Sequence, residues 1–450
     1  MRVALPLALL AATTLVASTA RAAPLTLSQE QAVERTLERH PAIEAAARAV
    51  DVADARQSEV ESAWLPRLKA DASYMLIGPL QELTIDTGIT PPGQTAPISI
   101  QKELGSIHNA SVGVTLTWRA LDFGVRIVQA QAAEALARAE RAQGEAQKAE
   151  IAYAVRAAYL GARFFQEMEA VTSGSLTVAE AELRDRTLQR KAGIGSDLDV
   201  ARIEMRAAEL RAQQTRAHQE RARAITTLRL LIGADPRTEL VLSDDLRKLG
   251  TSPVPPVGPT DDSPARQRIA ALAEAAELDS DRLWWQYWPT IDLVGNVKYQ
   301  YPKNYFETDV GGPAYSAGAV WSWNIFDGDL IRRQRVEAEA KAAQLRAQDR
   351  AVGEDIERKQ AEAEAQVRTA EAATESAAST KAAAETYLRA AKAGLEAGSG
   401  TALEVRQASD SVDQAELTAL RAYFDAALAR AAALLAQGKA RALARQEGRP

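Results

Sequence analysis

Ala192-Gly193-Ile194-Gly195-Ser196-Asp197-Leu198-Asp199-Val200 and Ala397-Gly398-Ser399-Gly400-Thr401-Ala402-Leu403-Glu404-Val405 stand 205 positions apart and follow one pattern: a Gly-x-Gly break, then leucine, an acid and valine. Glycine ends helices readily, so each stretch reads as the tip of a helical hairpin. The same offset joins Trp118 to Trp323 and Asp122 to Asp327, which sets the aspartate 71 positions before the tip glycine in each half. Upstream, Pro41 and Pro66 recur as Pro264 and Pro289 at an offset of 223, so the first half carries 18 additional residues between Pro66 and Trp118. The chain therefore reads as a tandem duplication, with a first repeat over 23–232, a second over 264–438 and a flexible tail over 439–450. Residues 233–263, with Pro236, Pro253, Pro255, Pro256 and Pro259, read as a linker wrapped around the body.

Outward from the tips the sequence is helical. Residues 124–191 and 329–394 contain no proline and are rich in Ala, Glu, Gln, Arg and Leu. At ~1.5 Å per residue each predicts a helix of about 100 Å, which must lie along a neighbour because no globular core is that deep. Ile151, Val155, Ala158, Ala162 and Phe165 fall on one heptad seam, and Leu417, Leu420, Phe424, Ala427, Ala431 and Leu434 on another. Helical pattern also fills Leu27 to Ala63, broken at His40-Pro41, until Pro66 stops it.

Beyond Pro66 the period changes to two. Leu68, Ala70, Ala72, Tyr74 and Leu76 alternate with Lys69, Asp71, Ser73 and Met75; Ala110, Val112, Val114, Leu116 and Trp118 alternate with Ser111, Gly113, Thr115 and Thr117. The second half repeats the device, with Ile291, Leu293, Val297, Tyr299 and Tyr301, then Tyr315, Ala317, Ala319, Trp321 and Trp323. Four strands of about ten residues, each with one apolar face, have the length of tilted transmembrane strands. Gly78 to His108 and Pro302 to Ala314 read as loops. All seven tryptophans, Trp64, Trp118, Trp284, Trp285, Trp288, Trp321 and Trp323, fall at one side of these hairpins, as an aromatic girdle at a membrane-water interface requires.

Four strands cannot close a barrel, and lipid does not tolerate open edges. Copies must assemble, and three would give a 12-stranded barrel with a polar lumen. The fold class expected is thus a mixed α/β membrane protein, four transmembrane strands per chain on long antiparallel coiled-coil helices.

The remaining composition sharpens the compartment. Residues 1–22 read as a secretory signal peptide, with Arg2, an apolar run from Val3 to Val16 and Ala20-Arg21-Ala22 as the cleavage site. Cysteine is absent, which excludes disulfides and a lipoprotein anchor. The net charge of -6 excludes a strongly basic nucleic-acid binder. His40, His108 and His218 stand in separate segments, so no histidine-based metal site or catalytic triad is expected, and neither is a cofactor. An enzyme is not expected.

The chain resembles the TolC-like outer-membrane efflux proteins. The resemblance rests on His40-Pro41, Trp64-Leu65-Pro66, Leu121-Asp122-Phe123-Gly124, Phe326-Asp327-Gly328 and the two tips, in that order. It implies a homotrimer in outer-membrane lipid, with its helical body in the periplasm as a tunnel, serving tripartite efflux or type I secretion beside a periplasmic adaptor and an inner-membrane transporter. It further implies that Gly193, Ile194, Gly195, Gly398, Ser399 and Gly400 receive the adaptor. Glu404, with Asp199 as the matching acid of the first tip, falls where the family narrows its tunnel with a ring of acids. Gln407 departs from that ring, and Leu395 stands where the family's type member has a gate-fastening tyrosine. The same two acids, read without the family, favour a helix N-terminus on electrostatic grounds alone. A soluble periplasmic coiled-coil adaptor is the alternative; it leaves the apolar strand faces and the tryptophan placement without a reason.

Overall fold

The computed structural model describes residues 24–440 except 94, 96, 255–257, 305, 306 and 308; the expected signal peptide and most of the tail lie outside the described residues. Two compact units are formed. Ala45–Glu145 with Pro259–Ile356 make the first, and Met1–Glu44, Ala146–Gly258 and Glu357–Pro450, as far as they are described, make the second.

In chain order the elements are β1 (Leu25–Leu27), α1 (Gln29–Arg39), α2 (Pro41–Glu61), β2 (Arg67–Leu76), β3 (Gln81–Asp86), β4 (Ser99–Leu104), β5 (His108–Leu121), α3 (Val125–Lys191) and α4 (Asp197–Leu231). There follow β6 (Leu240–Leu242), α5 (Leu246–Thr251), α6 (Pro264–Trp285), β7 (Thr290–Tyr301), β8 (Gly312–Ser322), α7 (Leu330–Glu396) and α8 (Ala402–Ala436). The long helices come in equal pairs: α3 and α7 have 67 residues each, α4 and α8 35 each.

The first unit holds an antiparallel sheet in the order β2-β5-β7-β8. The helices below it are tied by ion pairs, Arg141 to Asp54 and Arg138 to Glu274 at 2.7 Å each. A small cluster of Leu283, Ile331 and Ala338 packs α6 against α7.

The second unit contains the principal core, where Val155, Tyr159, Leu228 and Ile232 pack with Leu27, Val33, Leu240 and Leu242. Tyr159 is fully buried; its hydroxyl donates to Leu27 O at 3.0 Å and accepts from Asp244 N at 3.2 Å. Along α7 and α8 the packing is nearly all alanine, with Ala363, Ala370, Ala426, Ala429 and Ala433 in one cluster and Ala377, Ala419 and Ala422 in another. Small side chains let helices approach closely, which is why so few aromatics are needed. The α3-α4 hairpin is laced antiparallel by Glu180 with Arg211, Ser173 with Gln214, and Glu169 with His218 and Arg221. Both heptad seams are buried or half-buried as the spacing required, with Val155 and Ala162 at 0% exposure.

Three expectations are corrected. The Gly78 to His108 connection is more than a loop, because β3 and β4 pair within it as a separate two-stranded hairpin. Leu27 does not open a helix. It belongs to β1, which pairs in parallel with β6 through Leu25↔Leu240 and Leu27↔Leu242. The 233–263 segment is therefore not merely a linker: β6 completes that ribbon, and α5 packs on α8 with Gly250 so near Tyr423 that an added Cβ would lie 2.7 Å from its carbonyl oxygen.

Candidate functional site

The four-stranded sheet keeps its Asp, Glu, Lys and Arg side chains to one face. Register places Leu68, Leu116, Gly295 and Ala317 in one row, Ala70, Val114, Val297 and Tyr315 in the next, and Ala72, Val112, Tyr299 and Pro313 in a third. No Asp, Glu, Lys or Arg falls on that face among the paired positions. The face lies open, with Leu68 72% and Tyr315 87% exposed. The opposite face carries Arg67, Lys69, Asp71, Arg119, Asp292 and Lys298. Its groups bond across strands: Ser73 to Ser111 at 2.9 Å, Asn296 Nδ2 to Thr115 Oγ1 at 2.8 Å, and Arg119 Nε to Asp292 at 2.9 Å. β2 and β8 each leave an unpaired edge within the chain.

Aromatics bracket the apolar face. Trp118 and Trp321 lie at the helix-proximal end, in the rows of Leu293 and Ile291. Trp64 precedes β2, while Trp284, Trp285 and Trp288 precede β7 and Trp323 follows β8. They are brought together in groups: Trp284 stands 5.0 Å from Trp285 and 6.1 Å from Trp288, and Trp321 is 6.3 Å from Trp323. Trp118 Nε1 donates to Trp64 O and Trp323 Nε1 to Tyr287 O, each at 3.0 Å. Tyrosines Tyr74, Tyr299, Tyr301 and Tyr315 occupy the far half of the same face. From Ile291 to Tyr301 a strand runs about 33 Å, or about 25 Å in height at barrel-like tilt, which is the apolar thickness of an outer-membrane barrel.

Where strand turns into helix, an aspartate does the work. Asp122 is buried, accepts the Arg126 amide at 3.3 Å and pairs with the Arg126 guanidinium at 2.6 Å. Arg126 in turn donates to Ala63 O and sits 4.2 Å from the Trp64 ring centre. Asp327 accepts the Ile331 amide at 2.8 Å. Both corners turn through left-handed pairs, Phe123 with Gly124 and Gly328 with Asp329. The recurrence of Asp122 as Asp327 is visible in the sequence, whereas the bonds each makes to the first turn of its helix appear only in the fold.

At the tips each helix ends in a paired-bond glycine turn. Gly193 (φ +81) donates to Arg190 O and Ile194 N to Gln189 O; Gly398 (φ +73) donates to Leu395 O and Ser399 N to Gly394 O. This is the Schellman arrangement, which needs a residue at ease in the left-handed region. The second glycines serve closeness instead. A Cβ on Gly195 would lie 2.8 Å from Arg190 N, and one on Gly400 would lie 3.0 Å from Gly394 C and Leu395 N. Ile194 projects into solvent at 81% exposure. Behind the tips, Arg206 pairs with Asp410 and Asp413, and Arg406 with Glu182, which joins the two hairpins.

Of the two tip acids, Glu404 is engaged: it accepts the Thr401 amide at 2.8 Å, while Thr401 Oγ1 accepts the Glu404 amide at 3.2 Å. Asp199 lies in the first turn of α4. No hydrogen bond or ion pair joins it to Glu404 among the described residues. Glu169, deeper in the α3-α4 hairpin, is pushed up by burial, but hydrogen bonds from Arg221 and His218 outweigh that and hold its carboxyl below the usual range. Among the described residues no group of His, Asp and Glu is arranged to hold a metal.

Against known proteins, the outer membrane efflux protein family matches residues 32–234 and 265–443. No curated protein matches the sequence. Among solved structures, CusC is similar at 16% identity, covering 91% of this chain and 92% of its own, with a TM-score of 0.75. The open state of the Neisseria gonorrhoeae MtrE outer membrane channel is similar at 19% identity, with 92% and 89% covered and a TM-score of 0.74. The outer membrane protein VceC from Vibrio cholerae follows at 18%, 91% and 96%, with a TM-score of 0.70. At such identities the likeness speaks for the fold, while the family match spans both halves up to α8 and beyond. An uncharged strand face, paired glycine-tipped hairpins and that match together make this chain a member of the outer membrane efflux protein family, a channel protein of the outer membrane.

Proposed function

We propose that three copies join β8 to β2 around a ring to close a 12-stranded barrel, and that the long helices continue it as a periplasmic tunnel through which cargo leaves the cell. The observation that carries this reading is the sheet of the single chain: one face without charge, one face polar, and two open edges. In lipid such edges must be paired, and four strands alone enclose nothing. Tryptophans at one border of the apolar band and tyrosines at the other fit the two interfaces of a bilayer. Two repeats of strand hairpin and helical hairpin then supply equivalent walls from one chain.

The tips are the end that meets a periplasmic adaptor and, through it, an inner-membrane transporter. Exposed Ile194 between two glycines that shape the backbone, and Ser399 in the matching position, offer small, projecting surfaces. Asp199 and Glu404 would narrow the entrance as a ring of acids, with Glu404 also serving its helix. Size and net field, rather than a shaped pocket, decide passage in such a duct.

The mature protein, purified in detergent from outer membranes, should have the mass of three chains and give discrete conductance steps in planar bilayers. A monomeric, water-soluble particle without steps would sink the reading and favour a soluble periplasmic adaptor. Loss of adaptor co-purification on Ile194→Asp with Ser399→Asp, with trimer and conductance intact, would place docking at the tips.

A further inference from the structure

The 18 residues that set the first half apart do more than lengthen a connection. They lie in the connection that folds as β3 and β4, and residues at the base of that hairpin and on the polar face of the sheet line an open cavity of about 370 Å³. Leu80 and Leu104 come from the hairpin side, Met75, Ser73 and Ser111 from β2 and β5, and Lys298 from β7. Among the described residues Lys298 is the one charged side chain in that lining.

Its placement is built. Lys298 rows with Gly113 and Asp71, and a Cβ on Gly113 would lie 2.6 Å from Lys298 Cβ and 2.8 Å from Val297 O, so glycine is what lets β5 lie this close to β7 at the lysine. Among the described residues no carboxylate stands within ion-pair distance of the Lys298 ammonium, whereas Arg119 on the same face is neutralised by Asp292. The acids of the hairpin do not reach it either. Leu104 pairs with Gln81 and Glu103 with Glu82, so strand alternation turns both glutamates to the side opposite Leu104. Over the whole polar face the charges are Arg67, Lys69, Arg119 and Lys298 against Asp71 and Asp292, a surplus of two positive charges in each chain.

We infer that this cavity is a binding site for amphipathic organic anions, a carboxylate or sulfonate with an aromatic or short aliphatic body. The headgroup would meet the Lys298 ammonium and the serine hydroxyls, and the apolar body would lie on Met75, Leu80 and Leu104. A lone cation with hydroxyl donors and an apolar wall recognises that class, because a neutral ligand forfeits the charge-assisted bond and a cation is repelled. The inference rests on the proposed barrel, in which the polar face lines the lumen and every exported molecule passes this site.

The absence of cysteine from the chain supplies a clean test. Single cysteines are placed at Met75 in the cavity, at Ser316 on the polar face away from it, and at Val114 on the apolar face, in protein reconstituted into vesicles. Each is titrated with anionic sulfonatoethyl and cationic trimethylammonioethyl methanethiosulfonate, with rates referred to a free thiol. The expected result at position 75 is a preference for the anionic reagent of roughly tenfold, as a local potential of a few kT gives. Naphthalene-2-sulfonate should protect Met75→Cys but not Ser316→Cys. Adding Lys298→Gln should abolish both the preference and the protection. Equal or faster reaction with the cationic reagent and no protection overturns the site. Val114→Cys reacting as readily as Ser316→Cys overturns the barrel reading instead.

Discussion

Thr401 and Glu404 cap one another: each accepts the other's backbone amide proton, at 3.2 and 2.8 Å, and together they close the first turn of α8. A carboxylate proposed to line the entrance thus also holds a helix end, and the two duties separate by substitution. Glu404→Gln keeps the capping box and removes the charge; Glu404→Ala removes the charge and the bond to the Thr401 amide, leaves Thr401 Oγ1 on the 404 amide, and costs up to about 1 kcal/mol of local stability. Amide exchange over Ala402 to Val405 should accelerate about fivefold in the alanine variant and little in the glutamine variant. A change of ion selectivity shared by both variants would then belong to charge alone.

The two glycines of each tip should fail differently. Gly193→Ala and Gly398→Ala force a side chain into the left-handed region, at about 1 kcal/mol each. Gly195→Ala and Gly400→Ala drive a Cβ into the backbone of the preceding helix, which must shift. The second pair should therefore alter tip structure, seen as changed protease cleavage or exchange at Gln189 to Lys191 and Gly394 to Glu396. Equal, small effects at all four positions would refute that distinction.

Asp122 and Asp327 hold corresponding corners with unequal stakes. Asp122→Ala strands the buried Arg126 guanidinium and should destabilise by about 3–5 kcal/mol. Asp327→Ala loses a helix cap, at about 1 kcal/mol. Urea unfolding of the detergent-solubilised protein checks the order, and a larger loss at 327 would reverse the argument.

Acid should loosen the α3-α4 hairpin. Because the folded Glu169 carboxyl titrates below its ordinary value, its contribution is present above that value and fades as pH falls through the lowered one. Protection of amides around Glu169 and His218 should drop on acidification below the ordinary carboxylate range. Glu169→Gln should make protection there lower at neutral pH and insensitive to acid.

How much of this the sequence disclosed follows from the range of the signals. Alternation in β2, β5, β7 and β8 is local and strong because one face admits no charge, so the strands and the face of each residue are legible, whereas the rows across strands are set by pairing. The tips were legible because left-handed glycines have few substitutes. By contrast β1 and β6 are three residues each, pair in parallel, and lie 215 positions apart, so nothing near Leu25 announces its partner. The β3-β4 hairpin hid because Leu83 opposes Lys102 and Glu82 opposes Glu103, which leaves no clean apolar face to count. Nothing local marks Lys298 as a site, since its surroundings come from Gly113 in β5, 185 positions earlier, and from the base of the β3-β4 hairpin.

The equal lengths of α3 and α7, and of α4 and α8, also bear on what kinds of sequence change this chain can accept. Removing one residue from α3 would turn everything beyond it by about 100°, carrying Val155 and Tyr159 off their seam and bringing the first tip out of level with the second. Length variation inside these helices should therefore arise only as matched changes in both, in steps near seven residues, whereas connections between strands can grow freely. The inserted hairpin lies in such a connection, where an added segment leaves the register of the helices untouched.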